Sequence, residues 1–269
     1  MLALAISGAI LIIIFTYAYQ LIDRFETGAS TVDPEIPYFK QSKILLVTAH
    51  PDDECMFFGP TLTNLSAKRL KNEIHVLCLS KGDAEKLGSL RKRELVKSCQ
   101  VLGIPSNRVK NIDNPDLPDS MTVEWNAALV AKVIKEYASK HAFFFFQIIT
   151  FDEQGVSGHT NHKAAYHGAV LYIKSLSESS VQLYKLPTVT LARKYIGLGD
   201  LPLAVANHFM TTKSKENDAS RRILFISSPA QYLITHRAMR QHVTQLVWFR
   251  WLYVVFSRYM VINELIMVQ

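Results

Sequence analysis

Cysteine is scarce in this sequence of 269 residues: there are three, Cys55, Cys78 and Cys99, and no two of them form a CxxC pair. Their wide spacing excludes a disulfide framework and favours a reducing compartment. Basic residues never form a dense block, so the net charge of +7 gives no argument for binding nucleic acid. This modest positive charge would suit an acidic surface, such as anionic lipid or a phosphate-bearing substrate.

Charge is absent from residues 2–22, which form one apolar or weakly polar run. A helix of about 20 residues is long enough to span a bilayer core of roughly 30 Å. The alternative is a cleaved signal peptide, which would usually carry a basic n-region and a shorter apolar core. We therefore expect a transmembrane anchor at residues 1–22 and a polar, proline-containing linker at residues 23–42.

The rest of the sequence predicts an α/β domain over residues 43–245. Hydrophobic residues make up 49% of the chain and charged residues 20%, which is sufficient for a normal core. Apolar runs alternate with segments of helical periodicity, and this rhythm predicts a Rossmann-like three-layer sandwich with a mostly parallel sheet. Strands are expected at 43–48, 73–79, 109–112, 143–150 and 222–227. The first helix is expected after the first strand, where Leu62, Leu65 and Leu70 have helical spacing. Further helices are expected at 89–102, 123–139, 159–175 and 230–242.

A histidine and two adjacent carboxylates follow the first predicted strand, in the sequence Ala49-His50-Pro51-Asp52-Asp53-Glu54. Pro51 disfavours helical backbone angles at His50. The side chains should therefore lie at the carboxyl edge of the strand, where open α/β sheets bind ligands. Adjacent carboxylates repel each other and are most easily kept ionised beside a cation. On this hexapeptide alone, it stays open whether the two Asp bind a metal or merely begin a helix.

A second polar group follows the predicted strand 143–150 and contains His159 and His162. These two residues are three apart, so they share one face in the first turn of a helix. Two His and one carboxylate, with a position left open for water, form a common catalytic zinc set. The alternative is a His pair that only caps or packs the helix. The first motif at an equivalent strand end favours the metal site.

The two motifs together resemble the PIG-L (LmbE-like) de-N-acetylase family, and most closely its eukaryotic membrane branch. The resemblance runs from residue 43 to the end of the chain and includes residues 87–95, 101–105, 248–251 and 256–260. It implies a metal hydrolase that removes acetate from N-acetylglucosaminylphosphatidylinositol, a glycolipid substrate, in the second step of glycosylphosphatidylinositol anchor synthesis. It further implies a single-pass protein of the endoplasmic reticulum membrane whose catalytic domain faces the cytoplasm.

The resemblance also implies a role for each residue of the motifs. His50, Asp53 and His162 would hold a divalent metal, expected to be zinc. Asp52 would be the general base, and a positively charged His159 would act as an acid or stabilise the oxyanion. Many soluble relatives have Asp where this chain has Asn161, which cannot carry charge but can orient His159 or His162 by hydrogen bonding.

Two features keep alternatives open. Arg91 matches a family position near the substrate sugar or phosphate, but it stands beside Lys92 and Arg93 and would otherwise be an exposed helix charge. The aromatic and basic segment 246–269 is either membrane-interfacial or part of a core helix.

The alternative functions are hydrolysis of another N-acetyl sugar conjugate and a catalytically silent membrane adaptor. The expected anchor argues against the first, and the intact motifs argue against the second.

Overall fold

The computed structural model describes residues 39–141, 147–176, 181–213 and 221–268. The predicted anchor at residues 1–22 and most of the predicted linker lie outside these ranges. Within them, no helix combines the length and the apolar character that crossing a membrane requires.

Seven strands form one mixed sheet in the order β3-β2-β1-β4-β5-β7-β6. Their pairings are parallel from β3 through β5, whereas β7 is antiparallel to both β5 and β6. The predicted α/β fold with a mostly parallel sheet is therefore confirmed. The strands are β1 Lys43–Thr48, β2 Glu73–Cys78, β3 Val109–Asn111, β4 Gln147–Phe151, β5 Gln182–Leu186, β6 Arg222–Ile226 and β7 Ile262–Val268.

Helices flank this sheet, and most of them lie where the periodicity of the sequence predicts them. Short helical turns occur in addition at Gly155–Gly158 and Leu191–Lys194. The helices of the described residues are α1 Asp53–Met56, α2 Gly59–Leu65, α3 Gly88–Val101, α4 Ala127–Lys140, α5 Thr160–Lys174, α6 Leu201–Lys213, α7 Pro229–Met239 and α8 Trp248–Phe256.

Three predicted helices differ from the observed ones at their ends. The helix predicted over 230–242 ends at Met239. Helix α4 begins four residues later than predicted because the side chain of Asn126 accepts a hydrogen bond from the backbone N–H of Ala128 and caps the helix. Trp125 is buried as expected, but it lies in the preceding loop and donates its indole N–H to the carbonyl of Pro118 (2.9 Å). The helix predicted through Leu70 ends at Leu65, and Leu70 lies in a separate 3₁₀ turn.

Three elements beyond residue 180 were not predicted: β5, α6 and β7. Strand β7 lies inside the sheet, between β5 and β6, with Ile262 and Leu265 fully buried. The segment 246–269 thus contributes a strand of the sheet as well as helix α8. On α8, Tyr253 and Val254 are buried, whereas Trp248, Phe249, Leu252 and Phe256 are exposed.

The two central strands bring the two sequence motifs together. Strands β1 and β4 are parallel neighbours, with Leu46 paired to Ile149. The hydroxyl of Thr150 donates a hydrogen bond to the carbonyl of Val47 (2.9 Å), which reinforces this register near the strand ends. The loops that follow β1 and β4 therefore leave the sheet side by side at its carboxyl edge, where such sheets bind ligands.

Candidate active site

Asp53 connects the two loops. Its Oδ2 accepts hydrogen bonds from the backbone N–H groups of Ala49 (3.0 Å) and His50 (2.8 Å), so the chain after β1 folds around this carboxylate. Its Oδ1 lies 3.3 Å from Nε2 of His162, which comes from the other loop. Nδ1 of His50 lies 3.8 Å from Oδ2. The carboxylate thus has one predicted histidine ligand on each side.

His50, Asp53 and His162 are all buried, and each offers a ligand atom within 4.8 Å of the other two. Nδ1 of His162 lies 3.1 Å from the carbonyl oxygen of Gly155. Because that oxygen can only accept, Nδ1 carries the proton and the lone pair of Nε2 faces Asp53. A ligand histidine whose second nitrogen is held by a carbonyl is the usual arrangement in metal sites.

Asn161 orients the second histidine ligand, His50. The Oδ1 of Asn161 accepts from the backbone N–H of Ser120 (3.0 Å), and its Nδ2 donates to the carbonyl of Val123 (3.1 Å). These two backbone partners fix which way the amide points. Nε2 of His50, 3.0 Å from that Oδ1, must therefore donate, which leaves the lone pair of Nδ1 directed toward Asp53. The side chain of Asn161 thus orients His50, not His159 or His162 as we had expected.

The ionisation of Asp53 also suits a metal ligand. Burial alone would raise the pKa of its carboxyl. In their protonated forms, His162, by charge and hydrogen bonding, and His50 oppose that rise and lower the pKa below its usual range; a bound cation would take the place of those protons. The donor set therefore comprises one ionised carboxylate and two imidazole lone pairs. These residues fit a divalent cation such as zinc.

Asp52 is buried beside this set but faces different partners. Its backbone has a positive φ of 116°, and its N–H donates to Oε2 of Glu54 (3.1 Å). Its Oδ2 finds no hydrogen-bond donor among the described residues, and the guanidinium groups of Arg250 (3.5 Å) and Arg91 (3.7 Å) lie just beyond hydrogen-bonding distance. Burial raises the pKa of this carboxyl, and the two arginines oppose that rise. A buried acceptor without a donor is suited to bind and deprotonate a small polar molecule such as water.

His159 caps the N-terminus of α5, since its Nδ1 accepts from the backbone N–H of Asn161 (3.2 Å). Its ring centroid lies 4.6 Å from that of His50 and 4.9 Å from that of His162. Burial, together with the charges of these two histidines, lowers the pKa of His159 to about 4. Because Nδ1 accepts a hydrogen bond, it carries no proton, so in this geometry the ring is a neutral imidazole and Nε2–H is the available donor; the resemblance implied a positively charged ring.

Arg91 is buried, with its side chain only 7% exposed, so the interpretation as an exposed helix charge is excluded. Its guanidinium donates to the carbonyls of Gly82 (2.8 Å) and Pro51 (3.0 Å) and to Oδ2 of Asp119 (3.0 Å). A Cβ at Gly82, where φ is +68°, would lie 2.6 Å from Cζ of Arg91, so the absence of a side chain there makes room for the guanidinium. Contact of Arg91 with substrate stays a prediction.

Two functional neighbours were missed from the sequence. Asp119 lies in the loop after β3, and its Oδ1 is 3.2 Å from Nε2 of His50. The sequence signal that could have identified Asp119 is its position in a loop that leaves the carboxyl edge of the parallel strands. His242 follows shortly after the last residue of α7, Met239. Its Nε2 lies 2.7 Å from Oε1 of Glu54, and both side chains are fully buried. Burial alone would lower the pKa of His242, but Glu54 raises it.

Fold and site together define an α/β protein with a buried set of two histidines and one aspartate, able to hold a metal, at the carboxyl edge of its parallel strands. A family model described as "PIG-L: GlcNAc-PI de-N-acetylase" matches residues 45–173, which include all of the predicted site residues. The chain belongs to this family.

Relatives of known name support this membership over most of the chain. N-acetylglucosaminyl-phosphatidylinositol de-N-acetylase of Bos taurus is 40% identical over 226 residues, which cover 83% of each chain. The probable enzyme of the same name in Schizosaccharomyces pombe is 38% identical and covers 82% of this chain and 85% of its own. N,N'-diacetylchitobiose deacetylase from Pyrococcus horikoshii shares the fold, with a TM-score of 0.54 and 15% identity over 86% of this chain and 81% of its own.

Proposed function

We propose that this protein hydrolyses the N-acetyl group of N-acetylglucosaminylphosphatidylinositol to give glucosaminylphosphatidylinositol and acetate, the second step of glycosylphosphatidylinositol anchor synthesis. One observation carries the proposal. His50, Asp52, Asp53 and His162 converge in one buried site, in a chain that is 40% identical to a de-N-acetylase of this specificity over most of its length.

The proposed cofactor is zinc, held by His50, Asp53 and His162. A divalent cation bound there supplies Lewis-acid chemistry at the acetamide carbonyl. Hydrogen bonds within the protein already orient the three ligand side chains. Backbone N–H groups hold Asp53, the Gly155 carbonyl holds His162 and Asn161 holds His50.

Asp52 is the proposed general base. Its unpaired Oδ2 accepts a proton from the attacking water, while the water oxygen forms a bond to the acetamide carbon. When the C–N bond breaks, the proton held by Asp52 passes to the amine nitrogen, so that acetate and a free amine leave. The charges of Arg250 and Arg91 help to keep the carboxylate ionised before the reaction, although it is buried.

His159 has the proposed role of hydrogen-bond donor to the acetamide oxygen. In the neutral ring, Nδ1 is held by the backbone of α5, so Nε2 carries the proton that it can offer. A neutral donor of this kind stabilises the negative charge that develops on the oxygen without itself losing a proton.

The proposed setting is the endoplasmic reticulum membrane, with a single anchor at residues 1–22 and the catalytic domain on the cytoplasmic side. The three cysteines support a reducing environment, since all of them are free and buried. The exposed aromatic side chains of α8 support contact with the membrane interface.

Acetate release by the full-length protein in detergent micelles tests the proposal. We expect release from N-acetylglucosaminylphosphatidylinositol, loss of release with a chelator, and recovery when zinc is restored. Activity only on a soluble N-acetyl sugar conjugate would support that alternative. Failure to release acetate from either substrate, with metal bound, would support the adaptor alternative.

A further inference from the structure

A cavity of about 590 Å³ lies between helix α8 and the turns at 155–158 and 191–194. Its wall is mostly apolar, formed in large part by Phe57, Phe249, Tyr253 and Phe256. Two cationic side chains, Lys194 and Arg250, also line it. An apolar wall with two cations suits a ligand that combines hydrocarbon with a negative charge.

Lys194 is the unusual member of this wall, because it is only 7% exposed and none of the described residues gives it an anionic partner. Within the described ranges, Nζ makes no ion pair or hydrogen bond, and it lies over the ring of Tyr195, 5.6 Å from the centroid. The nearby carboxylate of Asp200 already binds Arg193 (2.7 Å) and Arg258 (2.8 Å). Burial lowers the pKa of Lys194, as expected for an ammonium group without a counter-ion.

The side chain of Lys194 is mostly buried, and it lines the cavity without an anionic partner among the described residues. An anion bound in the cavity would supply that partner. Ammonium and guanidinium groups are both common phosphate binders. The anion expected between Lys194 and the apolar wall is therefore a phosphate group attached to hydrocarbon.

The cavity adjoins the proposed metal centre. Arg250 lines the cavity and also lies 3.5 Å from Oδ2 of Asp52. Phe57 lines it and packs its ring edge-on against His162, with centroids 5.5 Å apart. A substrate that places its acetamide near Asp52 can therefore extend past Phe57 and Arg250 into the cavity.

We infer that this cavity is the binding site for the phosphodiester of a lipid-linked substrate, with Lys194 as its counter-charge and the aromatic wall of α8 against the hydrocarbon that follows. This inference rests on the proposed function, because it assigns a second part of the same substrate. It gives the exposed aromatic helix a place in substrate binding and makes Lys194 a specificity residue with no part in the chemical step.

The test compares Lys194→Met with the wild-type full-length protein in detergent micelles. Methionine keeps an unbranched apolar stem and removes the charge. We expect KM for N-acetylglucosaminylphosphatidylinositol to rise about tenfold, the typical effect of losing one charge-assisted hydrogen bond, with kcat within twofold. Inhibition by glycerophosphoinositol, a phosphodiester without acyl chains, should weaken by a similar factor.

Lys135→Met is the matched control, since it removes the same charge from an exposed position on α4 and should change neither value. Lys194→Arg should restore most of the affinity. Equal inhibition of the wild type and Lys194→Met by glycerophosphoinositol would overturn the inference, and so would a fall in kcat with unchanged KM. If inorganic phosphate inhibited the wild type as strongly as glycerophosphoinositol, the site would be a simple phosphate site and the lipid assignment would be wrong. Absence of acetate release from the wild type would instead refute the proposed function.

Discussion

The substitution Asp52→Asn replaces one carboxylate oxygen by an amide nitrogen and leaves the shape of the side chain unchanged. Asp52 has a φ of 116°, and Asn and Asp are the non-glycine residues that best tolerate positive φ, so the loop should keep its conformation. Burial raises the pKa of this carboxyl, so the ionised side chain costs the folded protein free energy that a neutral amide would not cost. A neutral amide should therefore not lower the melting temperature.

The expected kinetic effect is much larger than the effect on folding. General acid–base groups contribute about 10²–10⁴ in rate, which corresponds to roughly 2.7–5.4 kcal/mol of activation free energy. Metal content should stay unchanged, because the three proposed ligands are His50, Asp53 and His162, and their mutual contacts do not involve Asp52. Asp52→Asn should thus separate metal binding from turnover.

The assay measures acetate release and metal per chain on the same preparation of full-length protein. Asp53→Asn is the matched control, since it makes the same chemical change one residue away but removes an ionised ligand, and it should lose metal. If Asp52→Asn kept a rate within tenfold of wild type with metal bound, the assignment of the general base would be refuted. A loss of metal in Asp52→Asn would refute the assigned ligand set.

Three further predictions follow from the structure. Asp53→Ala and His162→Ala should each lose metal and acetate release together, as measured by metal analysis and the acetate assay; an active variant without metal would contradict the ligand assignment. His242→Gln leaves the buried Glu54 carboxylate without its cation and should cost about 3–5 kcal/mol of unfolding free energy. The pKa of Glu54 is lowered from its ordinary value of 4.5, and that of His242 is raised from its ordinary value of 6.5. The ion pair therefore contributes most to the free energy of unfolding between pH 4.5 and 6.5. In thermal melts, the difference in melting temperature between His242→Gln and wild type should shrink as pH rises through the raised pKa of His242. A difference that did not depend on pH would contradict the ion pair. Finally, a flexible glycosylation sequon added after Gln269 should gain no glycan removable by endoglycosidase, while protease should digest the domain in sealed microsomes; a glycan on that tag would overturn the cytoplasmic orientation.

Periodicity and strand-end chemistry explain why much of the fold and site was predictable. Strand β1 contains the uninterrupted apolar run 44–47, and β2 is apolar except at Glu73 and His75. Such segments predict buried parallel strands without knowledge of their partners. His50 and His162 lie more than 100 residues apart, yet both follow parallel strands, so a rule about sheet edges predicts that they meet. The same rule could have identified Asp119, but a loop rich in Asp and Pro gives no local reason to select one acidic residue.

The features that were missed depend on contacts between distant parts of the chain. Strand β5 includes the polar residues Gln182 and Lys185, which interrupt the apolar pattern that would predict a buried strand. Its place in the sheet depends on pairing with β4 and β7. The neutral state of His159 depends on two other histidines brought close by folding. The partner of Glu54 is His242, 188 residues away, and no spacing rule predicts such a pair.

The interior position of β7 has a consequence for how the protein is made. Strand β6 is synthesised before β7, yet within the described sheet it pairs with β7 alone. Until Ile262–Val268 has left the ribosome, β6 has no neighbour and the edge of β5 stays open to other chains. A premature stop anywhere between β6 and β7 would therefore remove two strands from the sheet and leave an exposed edge that favours aggregation. Such a stop would spare His50, Asp52, Asp53, His159 and His162 and still abolish the enzyme.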